Sequence, residues 1–282
     1  MLAPVANNFD LHCHSSASDG VLTPAAVVRR AAANGVSVLA LTDHDDLTGL
    51  AEAEATAQQC GIRLVPGVEI SITWGGITVH IVGLGIDPAS DALARGLEHV
   101  RASRARRAER IAAEFDALGI PGTLEGAYSY AGNPNLVGRA HFARFLVGQG
   151  VARDVKSVFH RYLVAGKPAY VPHEWAALAD AVTWIRASGG RAVVAHPGRY
   201  RLTREELRRF LAEFVAAGGE SIEVVTGSHT RAQYHEFAQL AREFGFLASR
   251  GSDFHGPDES GIDLGQLPLL PADLKPVWYD WA

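Results

Sequence analysis

The sequence predicts an α/β chain of six or seven strand-helix units, closer to a barrel than to an open sheet, interrupted by a mainly helical insertion. Three observations carry this reading. Short apolar runs alternate with helical text from Phe9 to Ser71, the same alternation resumes after Pro172, and between the two it stops. The 282 residues leave room for one such barrel with an insertion, and 48% hydrophobic with 20% charged residues is an ordinary globular composition.

Taken in order, NFDLHCHS reads as a strand and TPAAVVRRAAANG as a helix. Thr23 is its N-cap, Pro24 its first residue, and Gly35 stands where a C-cap belongs. VSVLALTD is the next strand, LTGLAEAEATAQQCG the next helix and IRLVPGVEIS the third strand, a pattern of parallel strands joined by crossovers. Trp74-Gly75-Gly76 is a turn signal, so ITVHIVGLGID is expected to fold back on that third strand as a hairpin. Residues 88–118 read as one long helix. From Ile120 to Pro168 the text turns glycine-punctuated and helical, and the division expected is a barrel over 1–100 and 171–282 with a basic insertion, a substrate cap, over 101–170. A helix from Trp175 to Ser188 is followed by strand RAVVAH, helix TREELRRFLAEFVAAG, strand SIEVV, helix TRAQYHEFAQLAREFG and strand FLASRGSD, with a loop-like tail after Pro268.

Net charge is −5, yet residues 101–170 hold 11 Lys and Arg against five Asp and Glu. A positive segment beside a carboxylate-bearing site favours an anionic substrate, although the run RASRARRAER also reads as a solvated helix face. Only Cys13 and Cys60 are present, widely separated, which supports neither a disulfide framework nor a cysteine zinc site. The start MLAPVANNFD lacks a basic n-region and a long apolar run, and no stretch is long enough to cross a bilayer. The expectation is a cytoplasmic protein with no membrane association and no obligate protein partner.

The chemistry lies in scattered acids and imidazoles. His12 and His14 stand two apart on a strand, so both point to one face and Cys13 to the other. Asp19 follows in the loop ASDG. LTDHDD places Asp43, His44, Asp45 and Asp46 at a strand end, Glu69 lies in VPGVEIS, His80 in TVHIVG, His196 in VVAHPGRY, and Asp253 with His255 in SRGSDFHG. Each falls at or near the C-terminal end of an expected strand, the face on which barrel enzymes assemble their sites. Any one alone reads equally as a hydrogen-bonded core residue. Together they do not, because burying so many ionisable groups without compensation costs several kcal/mol each, and pairing or metal coordination is the usual remedy. Imidazole and carboxylate without thiolate suit zinc, manganese or iron, and several carboxylates favour a multinuclear site bridged by one of them, Glu69 being the candidate. His99, His160, His173 and His235 lie in helical or loop text and read as surface or packing residues; His141 and His229 sit near Arg139 and the loop TGSHT.

The set His12-Cys13-His14, Asp43-His44, Glu69, His80, Ala195-His196-Pro197 and Ser252-Asp253-Phe254-His255 resembles the PHP family, named for polymerase and histidinol phosphatase, across residues 9–100 and 172–256. The resemblance implies a distorted (βα)7 barrel holding two or three divalent cations, manganese by preference with zinc or iron as alternatives. It allots His12, His14, Glu69 and Asp253 to one metal, Glu69, His80 and His196 to a second, and Asp19, His44 and His255 to a third. The text NPNLVGRAHFARFLV is similar to the branch of 3',5'-nucleotide bisphosphate phosphatases, some of which resemble 5'-to-3' exoribonucleases. The implied substrate is thus a nucleoside 3',5'-bisphosphate or a short oligoribonucleotide, with metal-activated water as nucleophile. Arg104, which would share a helix face with Arg101, together with Asn135, Arg139, Arg199 and His229, are the candidates for phosphate contacts. Competing readings are a histidinol phosphate phosphatase, a non-catalytic metal-stabilised module, and a C–N hydrolase.

Overall fold

A computed structural model describes residues 8–281; residues 1–7 and 282, and with them most of the N-terminal stretch examined for a targeting signal, lie outside the described residues. Thr23 accepts the Ala26 N–H and opens α1 (Pro24–Ala33), which Asn34 and then Gly35, at φ 80°, close. The strands β1 (Phe9–Asp10), β2 (Val38–Leu41) and β3 (Arg63–Trp74) pair in parallel, with α2 (Leu50–Cys60) as the second crossover.

Gly75 and Gly76, both at positive φ, make the two-residue turn that returns the chain as β4 (Ile77–Leu84), antiparallel to β3 with Trp74 opposite Ile77. β5 (Arg191–Val194), β6 (Ser221–Thr226) and β7 (Leu247–Gly251) complete a seven-stranded sheet in sequence order, in which β4 alone runs against the rest. The Leu11 N–H bonds the Arg250 carbonyl at 3.0 Å and Cys13 bridges Phe254, so β1 and β7 bring the barrel almost to closure. Inside lie Leu11, Val38, Ala40, Val65, Val193 and Ala195; outside, the larger core of Leu39, Leu41, Ile70, Ile81 and Ile222 packs under the helices α8 (Leu178–Ala187), α9 (Arg204–Ala216) and α10 (Arg231–Phe244). Among the described residues no helix is long and apolar enough to cross a membrane.

The single helix expected over 88–118 is two. α3 (Asp91–Ala102) stops at Ser103, whose hydroxyl bonds the Val100 carbonyl at 2.8 Å and the His173 imidazole at 2.8 Å, and α4 (Arg104–Ala117) starts after it. A serine hydroxyl turned back on the preceding turn competes with the helical ladder. α4, α5 (Thr123–Ser129), α6 (Arg139–Gly148) and α7 (Val155–Val158), followed by a π turn over Phe159–Leu163, enclose a core of their own around Ile111, Phe115, Phe142, Leu146 and Leu163.

α3 packs beside α8, where a Cβ on Gly96 would meet the Trp184 ring at 2.3 Å. Gly96→Val should therefore destabilise the protein by about 1–3 kcal/mol, the usual cost of overpacking, read as a lower urea midpoint with unchanged slope.

Candidate metal centre

The nine acids and imidazoles singled out in the sequence converge at one mouth of the barrel. His12 and His14 leave β1 with their Nε2 atoms 3.1 Å apart. Glu69, fully buried in β3, lies between five imidazoles: Oε1 is 3.0 Å from His80 and 2.9 Å from His196, while Oε2 is 3.4, 3.2 and 3.0 Å from His12, His14 and His44. Asp253 Oδ1 is 3.5 Å from His12 and 3.3 Å from His14, and Asp19 Oδ1 is 3.3 Å from His255 and 3.9 Å from both His14 and His44. Two positions depart from the strand-end expectation. His80 stands in the first half of β4 and Glu69 in the middle of β3, because the hairpin carries both strands past the mouth and reverses the second.

The backbone is bent to this arrangement. Among the described residues the non-glycine residues at positive φ are Asp45 (50°), His196 (26°) and Asp253 (56°), a conformation costing about 1–3 kcal/mol each. Each is held by a partner from the site: the Asp45 N–H donates to the Glu69 carbonyl (2.9 Å), the His196 N–H to Glu223 Oε2 (2.6 Å), and the Asp253 N–H to the His12 carbonyl (2.8 Å). Glu223 also pairs with His12 Nδ1 at 2.8 Å, which fixes Nδ1 as the protonated nitrogen and turns Nε2 inward. Asp43 ties the loop after β1 through Ser15 and Ser18, and Asp45 binds Ser71 and the Arg104 guanidinium.

The donor set fits divalent cations. His14 Nδ1, Asp19 Oδ1, His44 Nδ1, Glu69 Oε2, His80 Nδ1, His196 Nδ1 and Asp253 Oδ1 are buried without a hydrogen-bond partner, and an unmet buried polar atom costs about 1–3 kcal/mol. The nine residues form four overlapping groups whose ligand atoms lie within 4.8 Å of one another: His14, Asp19, His44 and His255; His12, His14 and Asp253; His12, Glu69 and His196; His44, Glu69 and His80. These groups place His80 with His44 and His196 with His12, while Glu69 Oε1 also lies 3.0 Å from His80 and 2.9 Å from His196, the pair that the resemblance allots to one metal. Cys13 takes no part, its thiol donating to the Ala40 carbonyl.

Burial and charge pairing pull the ionisable groups of the cluster in opposite directions. Burial alone would depress the His14 imidazole, but Asp253 and Glu69 outweigh it and hold it up at about 10. Burial would raise Asp253 and Glu69, yet the surrounding imidazoles, with Arg199 for Asp253, keep both carboxyls well below the usual range. His196 is driven down to about 3 by burial and then by Arg199.

Above the cluster opens a cavity of about 1170 Å³. Arg104, Arg139 and Arg199 line it; Asn135 and His229 do not. Asn135 sits in a 3-10 turn that buries Leu136 and faces solvent, its N–H bound to the Asn133 side chain. Both ring nitrogens of His229 are occupied, accepting the Gly198 N–H (3.0 Å) and donating to the Val224 carbonyl (3.2 Å), so it holds the turn after His196 and has no group left for a substrate. Arg199 binds Asp253 Oδ2 at 2.7 Å, leaving Oδ1 turned inward. His141, buried, accepts the Gly138 N–H at the start of α6, and His173 packs edge-on against Trp175. The sequence reading passed over Glu223, an acid inside an apolar strand, and Arg107, hidden in the run RASRARRAER, whose guanidinium lies over Trp175 in the cavity wall.

A model of the PHP domain matches residues 10–227. The chain is 52% identical over 271 residues to the 3',5'-nucleoside bisphosphate phosphatase of Chromobacterium violaceum, covering 96% of this chain and 95% of that protein. It is 42% identical to the 5'-3' exoribonuclease Rnm of Escherichia coli, covering 97% and 93%. A structure from Chromobacterium violaceum, described as an amidohydrolase with bound sulfate and no metal, superposes with a TM-score of 0.93 at 51% identity over 96% and 94% of the two chains. A Bifidobacterium adolescentis protein, provisionally named a metal-dependent phosphoesterase, superposes with a TM-score of 0.82 at 28% identity over 93% of each.

Because a cation must displace the proton that His14 carries at neutral pH, apparent metal affinity should rise with pH between 6 and 8, by up to about tenfold per unit for each proton released. Calorimetric titration of the metal-free protein in buffers of different ionisation enthalpy measures both quantities.

Proposed function

The chain belongs to the PHP-domain family, and from that premise we propose that this phosphoesterase removes the 3'-phosphate of nucleoside 3',5'-bisphosphates, giving a 5'-nucleotide and phosphate, and acts likewise on short RNA. The observation that carries the choice of a doubly charged substrate is the pair Arg107 and Arg139. Both line the cavity, neither has a carboxylate partner among the described residues, and burial pushes both guanidinium groups down, Arg107 to about 9. A buried cation without a counter-charge is expensive unless a ligand supplies one. Their planar donors suit phosphate oxygens, and each guanidinium lies over an aromatic ring, Arg107 5.2 Å from Trp175 and Arg139 5.6 Å from Phe159. A monophosphate such as histidinol phosphate would use the acid-imidazole cluster and leave this pair unmet. The sulfate in the Chromobacterium structure, tetrahedral and anionic like phosphate, also favours phosphate over C–N chemistry.

Two or three divalent cations, manganese by preference over zinc or iron, would be held by His12, His14, Asp19, His44, Glu69, His80, His196, Asp253 and His255, and would acidify water, neutralise phosphoryl charge and align attack. The protein's own part is positional. Glu223 and Arg199 keep His12 and Asp253 aimed inward, and Tyr200 accepts the His80 N–H and donates to the Ala195 carbonyl, both at 2.9 Å, which seats His80 beside His196. The proposed basic insertion over 101–170 supplies the arginines that select the second phosphate.

Manganese-loaded protein should release phosphate from adenosine 3',5'-bisphosphate far faster than from histidinol phosphate; the reverse order would overturn the assignment. Asp253→Asn should lose more than the 10- to 100-fold typical of outer ligand partners. Arg107→Ala should raise KM for the bisphosphate about 10- to 100-fold, the worth of a charge-assisted hydrogen bond, while leaving KM for a nucleoside 3'-monophosphate nearly unchanged.

A further inference from the structure

The cavity runs on past the acid-imidazole cluster, and α6 marks its course. Arg139, Ala140, Arg144, Val147 and Gly148 all line it, so the helix lies along the trough for most of its ten residues, about 15 Å. Arg139 begins this course beside Arg107. One turn on, the Arg144 guanidinium donates to the Asp19 carbonyl at 2.5 Å, at the level of the cluster, and clasps Glu259. At the far end Tyr130 rests against Gly148, where any Cβ would meet the tyrosine oxygen at 2.4 Å. The ring lines the cavity and is 44% exposed. Of the large apolar side chains left exposed among the described residues, Val21 and Tyr130 are the ones that line the cavity, and Val21 is fixed by its N–H to the His255 carbonyl at 2.7 Å. An exposed aromatic ring on the wall of a ligand-sized cavity offers a face on which a planar ligand can stack.

We propose that this far end is a subsite for the second nucleoside of a 5'-phosphorylated oligoribonucleotide, with the Tyr130 ring as the surface on which its base stacks. The proposal rests on the phosphoesterase reading above. In the bisphosphate and in the oligonucleotide the same bond is cut: water adds to the 3'-phosphorus, the P–O3' bond breaks, and O3' leaves with the electron pair and takes a proton. The two substrates differ in that one phosphate oxygen of the oligonucleotide is esterified to the next nucleoside. With the 5'-phosphate at Arg107 and Arg139 and the 3'-phosphorus over the cluster, that ester points away from the arginine pair, along α6 toward Tyr130. Charge contributes little there, because Arg153 is paired with Asp154 at 2.9 Å and Glu259 with Arg144, and the other charged residues of that lining, Lys156 and Asp258, are of opposite sign. An aromatic ring is the recognition element that remains, and it accepts any base.

The test compares adenosine 3',5'-bisphosphate with the 5'-phosphorylated diadenylate pApA. Tyr130→Ala should lower the ratio of kcat/KM for pApA over the bisphosphate about 5- to 100-fold, the worth of one base-aromatic stack, and Tyr130→Phe should restore it. A ratio unchanged in Tyr130→Ala, or a wild-type protein that turns over the bisphosphate but not pApA, overturns the subsite and leaves the phosphoesterase reading standing. Wild-type inactivity on both overturns the two together.

Discussion

A single buried carboxylate sets the terms for this molecule. Glu69 has no solvent exposure and lies within 3.4 Å of five imidazole rings drawn from four segments of the chain. An ionised acid in that position needs compensating charge, and imidazoles so crowded need either protons or a cation to separate their lone pairs. The strained backbone at Asp45, His196 and Asp253 answers the same demand: each bend turns a side chain toward the cluster or its supports, and each is fastened by a hydrogen bond to another member of it. The site is therefore one cooperative unit, in which the residue that orients a ligand is itself oriented by the next.

The arginine wall obeys a different logic. Arg104 is matched by Asp45 and Arg144 by Glu259, so these two pin α4 and α6 to the barrel, whereas Arg107 and Arg139 are left with unspent charge. Position along the trough then sorts the basic residues into those that hold the architecture and those available to an anion. Local sequence cannot make this distinction, since Arg104 and Arg107 lie in the same run.

The nine acids and imidazoles were legible in the sequence because each interrupts an apolar strand or its end, where an ionisable group has few innocent explanations. The glycine pair at 75–76 made the hairpin legible too. The two halves of the 88–118 helix were not, because what ends α3 is the Ser103 hydroxyl and its long-range bond to His173, seventy residues away. Glu223 and Arg107 were missed for opposite reasons: one acid in a strand of six looks like ordinary alternation, and one arginine among five in RASRARRAER carries no sign of which face is buried. Asn135 and His229 were drawn toward the site by the text NPNLVGRAHFARFLV and the loop TGSHT, yet a 3-10 turn exposes the first and two backbone hydrogen bonds occupy the second.

The reversal of β4 has a topological consequence. After that strand the chain is at the closed end of the barrel, where Leu84 stands opposite Arg191 and β5 could begin after a tight turn; instead α3 climbs to the mouth and α8 descends beside it to reach β5. The two helices stand as adjacent struts, so everything between them begins and ends at nearly the same place above the opening. An excursion anchored in that way can lengthen or shorten with only a logarithmic entropic penalty and without shifting the register of any strand. The reversed strand thus works as a socket, into which different lids can be fitted over an unchanged catalytic floor.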